Sequence, residues 1–150
     1  MDAQDMIFEF AYNMAFHDAT TRNAFLKRKE EKDDDDAFHK RKAAIRGYSK
    51  SSVKSYIDSI KKGDKPDPLM VILNICDEEN TTNGLTFGNV QKLVNMTAKY
   101  MFLSAYVDSD IRDKFIMCHC PMDGVMMDWV KKHCTEYGLK PIKWDTSWSQ

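Results

Sequence analysis

The chain has 150 residues, 43% of them hydrophobic and 30% charged. That is one domain's worth of polypeptide, enough to bury roughly two-thirds of the surface its unfolded form exposes. Eight Phe, six Tyr and ten Met argue against a wholly disordered chain. No apolar run approaches the ~20 residues that a bilayer span needs.

Met1 to Phe10 lacks the basic start and apolar block of a signal peptide. The cysteines, Cys76, Cys118, Cys120 and Cys134, are therefore expected as reduced thiols of a cytoplasmic protein.

The net charge of −1 hides an asymmetry. Residues 1–36 hold 10 acidic and 5 basic side chains, residues 37–65 hold 2 and 9, and residues 66–150 hold 11 and 8. The basic block contains Lys40, Arg41, Lys42, Arg46, Lys50 and Lys54. It reads either as a patch for phosphates or as a solvated helical face.

In chain order, Asp2 to Ala19 places Met6, Phe10 and Met14, with Ile7, Tyr12, Ala15 and Phe16, near a 3.6-residue period, so a core helix is expected there. Thr20 and Thr21 can cap a second helix from Arg22 to Lys32. Asp33 to Asp36 reads as a solvated stop or a helix start, because a hard-cation loop needs spaced ligands and usually a turning Gly. Two helices, Ala37 to Tyr48 and Ser49 to Lys62, are expected to divide at Gly47.

The segment from Gly63 to Pro68 is a loop, its prolines and glycine denying helix continuation. Leu69 to Asp77 is apolar and more helix-like than strand-like. Thr86 is a good N-cap for a helix with Phe87, Val90, Val94, Ala98, Met101 and Ala105 on one stripe. Ser109 to Met117 makes another short helix. Pro121 starts the next, with Val125, Met126, Trp129 and Val130 inward and a stop at Gly138. The expectation is a single all-α domain, a compact bundle of about seven or eight helices.

Three constellations bear chemistry. Lys92 sits off the main stripe of the Thr86 helix with Met96 and Leu103 on its side. An amine desolvated there would be a nucleophile for Schiff-base chemistry, whereas a snorkelling lysine would keep its head in water. Asp123 lies in the first turn of the Pro121 helix, where backbone N–H groups favour a carboxylate. Cys118, His119, Cys120, His133 and Cys134 are soft ligand types, but their spacing does not match common zinc layouts, so no metal or other cofactor is expected. A catalytic cysteine would need an identifiable base and oxyanion site, and neither is legible.

The run from Leu85 to Tyr100, with Gly88-Asn89-Val90-Gln91-Lys92 at its centre, followed by Cys120-Pro121-Met122-Asp123, resembles the helix-hairpin-helix DNA glycosylases. It is similar to the 8-oxoguanine type, nearest the archaeal branch, over residues 84–130. The resemblance implies a helix-hairpin-helix glycosylase-like fold and removal of an oxidised purine from DNA, with lyase activity. It implies Lys92 as nucleophile on the sugar and Asp123 as the assisting carboxylate. Gly84 and Gly88 stand for the family's hairpin glycines, so Gly88 would contact phosphate. The basic block would hold DNA, and Gln91, Trp144 and Trp148 would be base-pocket candidates for a base that has left the stack.

Two other readings compete. One is a non-catalytic module binding a nucleobase, a nucleotide or a protein on the same scaffold. The other is an interaction protein with a Met-rich groove near Met117, Met122, Met126 and Met127. Oligomeric state is not legible.

Overall fold

A computed structural model describes residues 2–21, 31–76, 85–104, 109–118 and 124–138. Within them lie six α-helices and two short 3-10 turns, with no strand. The helices are α1 (Ala3–Thr20), α2 (Asp35–Lys62), α3 (Pro68–Ile75), α4 (Phe87–Ser104), α5 (Ser109–Lys114) and α6 (Gly124–His133). The 3-10 turns, Phe115–Met117 and Cys134–Tyr137, follow α5 and α6. The all-α bundle is as expected, with fewer helices described than seven or eight. The second helix, from Arg22 to Lys32, falls almost wholly outside the described residues.

Local chemistry sets the helix ends. The Asp2 carboxylate accepts from the Asp5 N–H at 2.7 Å and starts α1. Asp34 accepts from the Ala37 N–H at 2.9 Å, so the aspartate run starts a helix. Asp35 and Asp36 then occupy the first turn, where carboxylates suit the exposed N–H groups. α2 ends at Gly63, whose φ of 92° is left-handed. Its N–H donates to the Ile60 carbonyl and that of Asp64 to the Ser59 carbonyl, which satisfies two orphan acceptors. Thr86 and Asn89 cap α4 reciprocally: the Thr86 N–H donates to Asn89 Oδ1 at 3.1 Å, and the Asn89 N–H to Thr86 Oγ1 at 3.3 Å.

Three expectations need correction. Gly47 does not divide the basic block, and α2 runs unbroken for 28 residues, about 42 Å at 1.5 Å per residue. A single glycine costs a helix only about 1 kcal/mol, which the strong formers and buried residues around it outweigh. Met6, Phe10 and Met14 do not enter the core: they are 55%, 60% and 40% exposed. The buried set of α1 is Phe8, Ala11, Tyr12, Ala15, Phe16 and Ala19. Trp129 is 49% exposed and not core.

The core gathers that face of α1 with Val53, Ile57 and Ile60 of α2, Ile72 and Ile75 of α3, Val90, Leu93, Val94 and Met101 of α4, and Phe115. α4 is the central element, lying against α1, α2, α3 and α5. Small residues of α1, Ala11, Ala15 and Ala19, are fully or almost fully buried, which suits close approach of the α1 and α4 backbones.

α1 and α2 run antiparallel, joined by a polar ladder. Asp5 meets Lys54 at 3.5 Å, Glu9 meets Lys50, and Asn13 Oδ1 accepts from Arg46 at 2.7 Å. The rungs rise by four residues on α1 and fall by four on α2. Beneath them the Tyr12 hydroxyl donates to the Arg46 carbonyl at 3.0 Å and lies 2.8 Å from Ser49 Oγ. Much of the acid–base asymmetry of the sequence is thereby spent inside the fold. Arg41 adds a two-pronged pair to the almost fully buried Glu31, at 2.6 and 2.7 Å.

Candidate functional site

Lys92 is half-buried on α4 and points at the C-terminal end of α1. Its Nζ donates to the Asp18 carbonyl at 2.9 Å. Beside it, Asn89 Nδ2 donates to the Ala19 carbonyl at 2.7 Å, and the Tyr100 hydroxyl donates to Asp18 Oδ2 at 2.9 Å. The last carbonyls of a helix lack intrahelical partners and carry the negative end of its dipole. A lysine and an asparagine from a neighbouring helix are suitable partners for them. Burial is the main reason that the Tyr100 hydroxyl is held above its ordinary pKa, with the Asp18 hydrogen bond adding to it. Lys92, Asn89 and Tyr100 thus form a clasp that ties α4 to α1.

Asp123 lies outside the described residues, as do Trp144 and Trp148. Gln91 and Gly88 are half-buried in the first turns of α4.

The basic block divides into parts with different duties. Arg41 is engaged with Glu31. Lys54 reaches Asp58 at 2.8 Å as well as Asp5, and its hydrogen bond to Asp58 is the largest cause of a pKa above the ordinary lysine value. Lys40 is exposed, roughly a third of a turn from the Arg46 row. Lys42, Arg46 and Lys50 share one row of α2, four residues apart.

That row lines a groove of about 550 Å³ between α1 and α2, with His39, Ala43 and Gly47 from α2 and Glu9 and Asn13 from α1. Three cations face one carboxylate there, and the imidazole and the Asn13 amide supply further polar contacts. The volume falls within the range of small-molecule sites. Arg46 is held over the Phe16 ring, 5.4 Å from its centre, as well as by Asn13, so its guanidinium is pre-placed at the groove. Gly47 leaves the wall open, because a Cβ added there meets nothing within 4 Å.

Sequence reasoning marked the cations but missed Glu9, Asn13 and His39 as their neighbours. A usable signal was present: acidic or amide residues at 5, 9 and 13 match basic residues at 46, 50 and 54, with the same spacing of four.

The remaining chemistry-bearing groups are quiet. Tyr56 donates its hydroxyl to Cys118 Sγ at 3.7 Å. Burial raises the pKa of both groups, so the thiol stays protonated and is a poor nucleophile. Trp129 stacks on His133 with centroids 4.7 Å apart, and His133 Nδ1 lies 3.0 Å from Glu136. No group of three or more metal-ligating side chains occurs among the described residues. No helix among them is long and apolar enough to cross a membrane. Comparison with protein-family models, with curated proteins and with solved structures finds no match to this chain.

Proposed function

We propose that this protein is a non-catalytic binding module that holds a nucleotide-sized, phosphate-bearing ligand in the groove between α1 and α2. The observation that carries the reading is the alignment of Lys42, Arg46 and Lys50 along one side of that groove, with His39 and Asn13 beside them. Cations on a rigid helix give a phosphate its Coulomb attraction and its hydrogen bonds without ordering a loop. The polar ladder below fixes two of the three cations in place, which lowers the entropy lost on binding.

Titration of a fluorescent adenine nucleotide, followed by anisotropy at low salt, tests this. Saturable binding is expected, weakened by added salt. Lys42→Glu, at an exposed position, should weaken it about tenfold or more, since a charge-assisted contact is worth ~1.5–3 kcal/mol. Absence of binding at low salt, or equal binding by the variant, would overturn the proposal.

The repair-enzyme reading stands second. Lys92 Nζ is engaged with the Asp18 carbonyl in the contact between α4 and the end of α1, which gives it a structural duty there. Borohydride trapping on a duplex containing 8-oxoguanine decides it. A covalent adduct with the natural chain and none with Lys92→Gln would put the catalytic reading first.

A further inference from the structure

Two faces of α1 meet other helices among the described residues. Asp5, Glu9, Tyr12 and Asn13 meet α2, while Asp18 and Ala19 meet α4. A third carries Met6, Phe10 and Met14, which are 55%, 60% and 40% exposed. Three large apolar side chains in one row form a contiguous patch rather than singly scattered exposures, and contiguous patches are where interaction surfaces are found.

We propose that this face is where two copies of the chain associate, with their α1 helices packed antiparallel about a two-fold axis at Phe10. The pattern Met-x-x-x-Phe-x-x-x-Met is symmetric about Phe10. A two-fold contact requires that kind of self-complementarity, because each patch must match its own copy run in reverse. Antiparallel packing sets Phe10 against the partner's Phe10 and Met6 against the partner's Met14. Methionine suits the role, since its flexible thioether fills irregular gaps and packs on aromatic rings.

The ends complement one another as well. Asp2, the exposed N-cap carboxylate, falls beside the partner's His17, the basic residue of the last turn of α1. The two helix dipoles also oppose. The three apolar side chains offer roughly 300 Å² per copy, below the ~800 Å² per partner of a standard interface, so association is weak and concentration-dependent.

Sedimentation equilibrium over a concentration series into the submillimolar range tests this. A reversible monomer–dimer equilibrium is expected. Phe10→Glu should weaken it at least tenfold, as loss of a central aromatic anchor does. Met14→Glu provides a second reading of the same face, with far-UV circular dichroism confirming that each variant is folded. Leu73→Glu, on the exposed apolar side of α3, should leave dimerisation unchanged. A chain that stays monomeric throughout, or a dimer that Leu73→Glu breaks and the α1 variants do not, would overturn the proposal.

Discussion

Replacing Lys92 by Met separates the clasp from any chemical role of the amine. Met keeps most of the apolar stem that lies against α1 and removes the ammonium. What is lost is one hydrogen bond from a charged donor, 2.9 Å long, to a helix-end carbonyl. A bond of that kind is worth ~1.5–3 kcal/mol when well buried, and a cation at a helix C-terminus ~0.3–1 kcal/mol. Lys92 is only half-buried. Solvent screening therefore brings the expected loss to about 1–1.5 kcal/mol. With a slope of about 2 kcal/mol per molar urea, the unfolding midpoint should fall by ~0.5–0.7 M at unchanged slope. Urea titration followed by far-UV circular dichroism at pH 7 measures it. Lys92→Arg, which restores a donor, should recover part of the loss. Unchanged or higher stability of Lys92→Met would mean that the amine does not support the end of α1, and the reasoning that assigns it a structural role would fail.

Two further outcomes follow from the same helices. Tyr12 is fully buried, and burial pushes its pKa up to about 12 from 10.0, against smaller lowering effects of Ser49 and Arg46. The folded state thus holds the phenolic proton more tightly than the unfolded one. Its contribution is fully present below about pH 10 and is lost as pH rises toward 12, a fall on the order of 2–3 kcal/mol. Tyr12→Phe should be less stable by about 1 kcal/mol at pH 7, through loss of its hydrogen bonds, should overtake the natural chain at about pH 11, and should be the more stable of the two by about 1 kcal/mol at pH 12. Urea unfolding at the two pH values checks it, and an unchanged difference between the chains would refute it. Gly47→Ala should raise stability by about 0.5–1 kcal/mol in thermal unfolding, because the site is helical and an added Cβ meets nothing within 4 Å.

The helical class was legible because periodic stripes and caps are local. Thr86 and the stripe through Val90, Val94, Ala98 and Met101 lie where spacing alone puts them, as does Gly63 at a helix end, whereas Pro68, read as the last residue of a loop, opens α3 instead. The face of α1 was not legible. Met6, Phe10 and Met14 repeat as regularly as Phe8, Tyr12 and Ala15, so two apolar rows compete and spacing alone does not say which of them faces outward. Gly47 misled for a related reason, since a helix breaker is read locally whereas α2 is held by Ile45, Ser49 and Val53 against its neighbours. The basic block was visible as charge. Its division into ladder, buried pair and groove depends on Glu9, Asn13 and Glu31, which only the antiparallel packing and the return of the chain bring near. Trp129 needed knowledge of what its helix packs against, which its spacing from Val125 does not hold.

The most direct measurement for the proposed site is a two-dimensional amide spectrum of the labelled protein during titration with an adenine nucleotide. Saturable shifts are expected at Glu9, Asn13, His39, Lys42, Arg46, Gly47 and Lys50, all fading together as salt is added. Shifts centred instead on Lys92 and its α4 neighbours, or none at ligand excess, would contradict it.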